Sequence, residues 1–223
     1  TAFVADAKRW QERGEYPAAL LVYGPPGIGK TTVGKVLARA SLGEFYDPAN
    51  FIITNASDDR GIDFIRNHLK HWASVKALGA KRRVILLDEA DGLTPAAQDA
   101  LRQIIEMLSD NCFFILTAND ISKIRPAIQS RCVTYEFKPI TSEQGALRLT
   151  ELSGNKDTRS GSDVKRWRDA AHAVMHVTGG DLRAAVAIWQ MSDDPEYFLT
   201  MARECTDNHA ALAAVGGEWM DMR

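Results

Sequence analysis

A glycine-rich segment with a lysine and two threonines is the strongest chemical signal in the sequence. It reads GPPGIGKTT over residues 24–32 and matches the pattern G-x-x-x-x-G-K-[ST] at every fixed position. Glycines leave backbone N–H groups free to converge on phosphate oxygens, Lys30 supplies a charge for the β- and γ-phosphates, and the Thr31 hydroxyl is a ligand for Mg²⁺. The pattern therefore predicts a P-loop that binds ATP and Mg²⁺. The residues expected to bind the nucleotide are Gly24, Pro25, Pro26, Gly27, Ile28, Gly29, Lys30, Thr31 and Thr32.

An acidic pair after an apolar run predicts the hydrolytic half of the site. The segment RVILLDEAD, residues 83–91, places Asp88 where it can hold the Mg²⁺ shell and Glu89 where it can orient or deprotonate water. Two exposed carboxylates past a strand end are the alternative, but the upstream P-loop disfavours it. Asn119 ends another apolar run. Its amide either positions water near the γ-phosphate or serves only as a residue of the turn, and both interpretations stay open.

These side chains need a scaffold that brings the ends of several strands together. Near-continuous apolar segments alternate with helical patterns, which indicates an α/β fold with a parallel sheet covered on both faces. The predicted strands are residues 18–24, 51–57, 83–91, 112–119 and 133–137. The predicted helical segments between and before them are residues 2–15, 29–40, 62–72, 94–108 and 127–132, with Thr94 as an N-cap.

The pattern changes after Pro139, where apolar residues recur only at helical spacing. We expect a nucleotide-binding domain over residues 1–139 and a small helical domain over residues 140–191. Residues 192–223 are expected to form a short C-terminal helical segment.

The net charge, the cysteines and the lengths of the apolar runs limit what the protein can contact and where it works. The chain has 223 residues, a formal net charge of -2 and three cysteines without a CxxC pair. Any contact with nucleic acid must therefore come from a local basic patch, and a reducing compartment is expected. No apolar run approaches the ~18 residues of a membrane span, so no membrane contact is expected.

Six motifs follow one another in a fixed order along the chain. They are GPPGIGKTT (24–32), NASDDRGI (55–62), VILLDEADGLT (84–94), FILTANDISKI (114–124), IQSRC (128–132) and GGDLRAA (179–185). In order and spacing they resemble those of AAA+ clamp-loader subunits, most closely the small subunit of replication factor C of archaeal or eukaryotic type. The resemblance covers roughly residues 18–191 and rests most specifically on NASDDRGI and SRC.

The resemblance implies a P-loop AAA+ fold, in which a five-stranded parallel sheet flanked by helices precedes a small all-helical lid. It makes Lys30 and Thr31 the Walker A residues and Asp88 and Glu89 the Walker B residues. The remaining catalytic roles it implies are sensor 1 for Asn119, an arginine finger in a neighbouring subunit's site for Arg131, and sensor 2 at the nucleotide for Arg183. An ordinary surface charge on a helix is the alternative for Arg183.

The resemblance also implies partners and a place in the cell. Such ATPase subunits open a sliding clamp and load it onto primer–template DNA, together with other clamp-loader subunits in a pentamer-like ring. Arg60 and Arg66 are the candidates for contact with the DNA backbone, with a solvated helix face as the alternative. Asn55 is a candidate to couple DNA contact to the pose of Glu89. The implied location is the cytoplasm of an archaeon or a virus-infected cell, or a eukaryotic nucleus.

Two features depart from the family pattern, and other functions stay open. The basic-aromatic segment that precedes the first helix in the family is not expected within these residues, and residues 192–223 are expected to be a reduced or truncated collar domain. One alternative is another AAA+ DNA-remodelling ATPase, of the branch-migration or recombination-associated type, which needs a DNA-reading domain after the lid. A non-hydrolysing AAA+ scaffold has no chemical need for Lys30, Asp88 and Glu89 together, and a small-molecule kinase gives no role to SRC.

Overall fold

Backbone contacts divide the chain between Lys138 and Pro139 into two compact units. The structure, a computed structural model, describes residues 2–56, 61–152 and 161–206. All strands in the described residues belong to the first unit, and the described part of the second unit contains helices, turns and irregular segments.

A five-stranded parallel sheet forms the centre of the first unit, as the α/β pattern predicts. Its strand order is β2-β3-β4-β1-β5, so the strand that leads into the glycine-rich segment lies between β4 and β5. The carboxyl ends of β1, β3 and β4 consequently meet at one edge of the sheet. The strands are β1 (Ala19–Tyr23), β2 (Phe51–Asn55), β3 (Arg83–Asp88), β4 (Cys112–Ala118) and β5 (Val133–Glu136).

Helices connect the strands of this unit. The expected N-cap is present, since the Ala97 amide donates to Thr94 Oγ1 at 3.3 Å. The α-helices are α1 (Ala2–Arg13), α2 (Lys30–Leu42), α3 (Lys70–Ser74), α4 (Pro95–Leu108) and α5 (Pro126–Gln129). Three short 3₁₀ turns lie at Gly43–Phe45, Ala90–Gly92 and Ile121–Lys123.

Residues 62–72 differ from the single α-helix that their spacing predicts. A π-helix spans Phe64–Leu69 and continues into α3, with the Lys70 amide bonded to the Ile65 carbonyl. Ile65 and Leu69 are both buried. The same apolar spacing is therefore satisfied by the wider π turn, and the sequence pattern does not distinguish the two.

Both faces of the sheet are buried, which fixes the strands rigidly under the loops at their carboxyl ends. Along β4, Phe114 and Leu116 pack on one face, whereas Phe113 and Ile115 pack on the other. The first face is covered by α3 and α4, and the second by α1 and α2. This alternation of wholly apolar side chains is typical of a strand inside a parallel sheet.

The second unit has a core of its own. Its helices are α6 (Ser142–Leu152), α7 (Gly161–Val177) and α8 (Leu182–Trp189), and residues 195–206 are also helical. Trp167 and Trp189 meet edge to face at 5.4 Å, and Phe198 stacks on Trp189 at 4.8 Å. Phe198 is fully buried, so the last described helix contributes to this core. Among the described residues, no helix has both the length and the apolar character needed to cross a membrane.

Candidate active site

The glycine-rich segment turns the chain from β1 into α2 at the carboxyl edge of the sheet. Gly24 has φ 147°, and a Cβ atom there would lie 2.0 Å from the Phe137 carbonyl oxygen, so no larger residue fits. Gly29 has φ 90° and directly precedes the first residue of α2. The segment thus ends at a helix N-terminus, where backbone N–H groups and the helix dipole favour a phosphate.

Lys30 joins this loop to the end of β4. Its side chain is buried, and Nζ donates to the carbonyl oxygens of Gly24 at 2.7 Å and Pro25 at 2.6 Å and to Asn119 Oδ1 at 2.9 Å. The structure therefore brings together two residues, Lys30 and Asn119, that are 89 positions apart in the sequence. Their contact places an ammonium and an amide side by side at the mouth of the loop.

A second set of hydrogen bonds joins α2, β3 and β4 around Asp88. Thr31 Oγ1 lies 3.0 and 2.9 Å from the two Asp88 carboxylate oxygens and donates to this carboxylate. The Thr117 hydroxyl also donates to Asp88 Oδ1, and it accepts a hydrogen bond from the Glu89 amide at 3.1 Å. Thr117 thereby links the two acidic residues. Thr117 was not among the predicted site residues, because its one signal in the sequence is a hydroxyl in an otherwise apolar strand.

The backbone at Glu89 is strained. Its φ is 54°, and it is the one non-glycine residue with positive φ in the described part of the chain. A left-handed conformation costs about 1–2 kcal/mol for a residue with a Cβ, and such strain is typically kept at functional positions. The turn also explains why β3 ends at Asp88, although the apolar and acidic run predicted a strand to residue 91.

Asp91 holds the backbone just after the end of β4. Its carboxylate accepts hydrogen bonds from the backbone N–H of Asn119 at 3.2 Å and from the backbone N–H of Asp120 at 3.3 Å. The backbone that carries the Asn119 side chain is therefore anchored to the turn after β3. Asp91 was not among the predicted site residues, because its partners lie 28 and 29 positions away.

The pair Thr31 and Asp88 fits a Mg²⁺ ion that arrives with a nucleotide. Their adjacent hydroxyl and carboxylate oxygens are hard ligands, and Mg²⁺ commonly takes one or two protein oxygens and completes its octahedron with waters and phosphates. Within residues 2–56, 61–152 and 161–206, no three His, Cys, Asp or Glu side chains form a cluster that could hold a metal. The oxygens of Thr31 and Asp88 thus suit an ion that is bound by the protein and the nucleotide together.

The predicted arginines are described by the unit and the element that carry them. Arg131 lies just before β5, where its Nε donates to Glu106 Oε1 at 2.7 Å. Arg183 is exposed at the start of α8 in the second unit, and Arg66 is exposed on the π-helix. Arg60 lies outside the described residues. The structure therefore brings together the P-loop, acidic and amide residues at the carboxyl edge of the sheet.

Two of the cysteines are inert in this environment. Burial raises the pKa of Cys112 to about 12, and burial also raises the pKa of Cys132 to about 12. Both thiols stay protonated at neutral pH, and all three cysteines are free. Cys132 packs against the core cluster that contains Phe114 and Leu116, so its thiol is not expected to take part in chemistry.

Comparison with known proteins decides the family. The family model for "ATPase family associated with various cellular activities (AAA)" matches residues 20–140. The replication factor C small subunit of Archaeoglobus fulgidus is 43% identical, over 97% of this chain and 68% of its own length. The chain belongs to the replication factor C small subunit family.

Two further replication factor C small subunits agree with this assignment. The Methanocella arvoryzae protein is 38% identical over 92% of this chain and 64% of its own length. Replication factor C small subunit 2 of Pyrobaculum arsenaticum is 41% identical over 90% of this chain and 59% of its own length. The chain thus spans between 59 and 68% of the length of these three relatives.

Solved structures support the AAA+ fold. A RuvB variant from Thermotoga maritima superposes with a TM-score of 0.64 at 19% identity, over 82% of this chain and 57% of that one. A DNA polymerase III gamma-subunit-related protein from the same organism gives 0.56 at 14% identity, over 83% of this chain and 57% of that one. At such identities the similarity shows the fold alone, and the replication factor C assignment rests on the sequence relatives.

Proposed function

We propose that the chain is the ATP-hydrolysing part of a clamp-loader subunit, which uses ATP and Mg²⁺ to open a sliding clamp and place it on primer–template DNA. The observation that carries the proposal is the hydrogen-bonded cluster of Lys30, Thr31, Asp88 and Asn119 at one sheet edge. Its occurrence in a replication factor C small subunit sequence favours clamp loading over branch migration. The complete set of hydrolytic residues disfavours a non-hydrolysing scaffold.

ATP binding follows from the P-loop geometry. The Gly24 and Pro25 carbonyls hold the Lys30 ammonium at the loop, and the β- and γ-phosphates of ATP replace these neutral acceptors with charged ones. The start of α2 adds backbone N–H groups. Thr31 and Asp88 hold the Mg²⁺ ion, which when bound neutralises charge on the phosphate oxygens.

Hydrolysis is assigned to Glu89, with Asn119 and Thr117 in support. Glu89 accepts a proton from water as the water oxygen bonds to the γ-phosphorus and the bond from that phosphorus to the bridging oxygen of ADP breaks. Asn119, beside Lys30, positions the water. Thr117 fixes the Glu89 backbone through the 3.1 Å bond to its amide, so the carboxylate is attached to a rigid support.

Arg131 serves the site of an adjoining subunit in this proposal. β5 runs parallel to β1, with Val133 opposite Leu20 and Glu136 opposite Tyr23. Arg131 therefore lies at the amino edge of the sheet and Gly24 at the carboxyl edge, about 20 Å apart along the strands at ~3.3 Å per residue. An arginine side chain does not span that distance, so this residue reaches a nucleotide only in a neighbour.

The second unit is proposed to act as the lid, with Arg183 as its nucleotide contact. Asp181 caps α8 by accepting from the Ala184 amide at 3.0 Å, and Arg183 is the second residue of that helix. A cation in the first turn is disfavoured by the helix dipole. A bound anion would stabilise an arginine at that position, and the γ-phosphate is the anion that the proposed function supplies.

DNA contact is assigned to the segment around Arg66, together with Arg60. Arg66 and Lys70 line one groove between the π-helix and α4, so two cations face solvent on the same surface. Such a patch contacts phosphates rather than base edges, and its binding depends on salt but little on sequence.

ATP turnover by the intact subunit assembled with its neighbours tests the proposal. Clamp and primed DNA together are expected to raise the turnover above that with either one alone, because they align neighbouring sites. Arg66→Ala should weaken DNA stimulation and lower the slope of log K against log salt by about one unit per lost phosphate contact. Arg148→Ala removes an exposed arginine from the second unit and is the matched control. Turnover that does not change when clamp and DNA are added would contradict the clamp-loading proposal. An unchanged salt slope in Arg66→Ala would contradict the assignment of Arg66 to DNA contact.

A further inference from the structure

A carboxylate on α4 binds the arginine that precedes β5. Glu106 is exposed on the last turn of α4, and its Oε1 accepts from Arg131 Nε at 2.7 Å. The same oxygen accepts from Arg102 Nη1 at 2.9 Å, one helical turn earlier. One glutamate therefore connects α4 to the segment between α5 and β5.

The atom that Arg131 uses in this contact decides which atoms remain for a ligand. A guanidinium group is planar and presents its donors in a fixed fork. With Nε bound to Glu106, the two terminal nitrogens Nη1 and Nη2 have no hydrogen-bond partner among the residues that the structure describes. These two nitrogens form the pair that binds a phosphate in bidentate fashion. Glu106 thus fixes the plane of the Arg131 guanidinium group, while the terminal nitrogens of that group stay available to a phosphate.

The charges around Glu106 favour the same arrangement. The hydrogen bond from Arg131, followed by the charge and hydrogen bond of Arg102, lowers the pKa of Glu106, so the carboxylate is ionised at neutral pH. Two arginines and one glutamate leave a surplus positive charge on this surface. Without the carboxylate, Arg102 and Arg131 would face each other without compensation, and Arg131 would lose its anchor.

We propose that Glu106 is a positioning residue, which holds Arg131 so that its terminal nitrogens meet the γ-phosphate in the adjoining subunit. The inference rests on the proposed function, since it needs Arg131 to act on a neighbour's ATP. It adds a residue on α4, outside the P-loop and the acidic pair of Asp88 and Glu89, to the set that determines the rate of hydrolysis. An opposite role, in which Glu106 withholds Arg131 from the phosphate, predicts faster turnover when the carboxylate is removed.

The experiment is ATP turnover by the intact subunit in its assembly, with variants at Glu106. Glu106→Ala is expected to lower kcat roughly fivefold, the effect that an exposed ion pair can supply, with KM and ATP binding by the same subunit unchanged. Glu106→Gln keeps an oxygen that accepts from Nε but loses the charge, and its kcat should lie between those of Glu106→Ala and the wild type. Asp99→Ala removes the 3.1 Å ion pair between α4 and Arg125 and is the matched control for Glu106→Ala, with kcat unchanged.

A double-mutant cycle shows whether Glu106 acts through Arg131. In the Arg131→Ala background, Glu106→Ala should add no further loss, because the group it positions is gone. An equal loss in both backgrounds, or an unchanged or faster kcat in Glu106→Ala alone, overturns the inference. Full turnover in Arg131→Ala itself overturns the assignment of Arg131 as well, so failure of the proposed function is distinguished from failure of the inference.

Discussion

Arg131→Ala is expected to leave ATP binding by its own subunit intact and to lower hydrolysis in the adjoining subunit by roughly 10³-fold, the lower end of the effect of an arginine finger. The planar, permanently charged guanidinium meets the charge that spreads over the γ-phosphate oxygens as the bond breaks. Because Arg131 lies at the amino edge of the sheet, its loss does not disturb the P-loop of its own chain. Fluorescent-nucleotide titration measures the binding, and phosphate release measures the hydrolysis.

Mixing two inactive variants shows whether the arginine acts across an interface. Lys30→Ala subunits are expected to bind ATP poorly but keep Arg131, whereas Arg131→Ala subunits bind ATP but lack the arginine. A mixed assembly should regain part of the turnover, because some interfaces combine an intact P-loop with an intact Arg131. Co-assembly is verified by light scattering. A mixture that co-assembles and stays inactive, or full activity in Arg131→Ala alone, would show that the arginine has no such role.

Glu89→Gln is expected to bind ATP normally and to lose turnover by roughly 10²-fold or more, the usual contribution of a general base. The amide has the shape of the carboxylate but does not accept the proton from water. The backbone bond from the Glu89 amide to Thr117 is kept, so the strained turn persists. Single-turnover phosphate release separates this step from binding, and Glu44→Gln, an exposed substitution outside the site, is the control. Wild-type turnover in Glu89→Gln would remove this residue from the mechanism.

Much of the fold could be predicted because its signals are local. Buried strands such as β3 and β4 are continuous apolar runs, and the P-loop pattern lies within nine consecutive residues. The N-cap at Thr94 needs only the residues that follow it. The order of the strands could not be predicted, because it depends on which strands pair across long stretches of chain. Only the structure shows that β1 lies between β4 and β5.

The residues that support the predicted ones were missed because their partners also lie far away in the sequence. Thr117, Asp91 and Glu106 act through partners that lie 25 to 29 positions away, and a hydroxyl or carboxylate without a motif carries no sign of its partner. The π-helix was missed because it preserves the apolar spacing of an α-helix. Sequence patterns thus named the residues that would contact the nucleotide, and the structure added those that hold them in position.

Capture of a sliding clamp by the intact assembly tests clamp loading most directly. The assembly is immobilised, purified clamp is passed over it, and retained clamp is measured with ATP, with ADP and without nucleotide. The account predicts retention with ATP, longer retention by Glu89→Gln, and little retention with ADP or by Lys30→Ala, whose P-loop lacks the ammonium. Equal retention under all three nucleotide conditions, or none with ATP by an assembly that binds ATP, would contradict the claim that ATP binding at this site drives clamp loading.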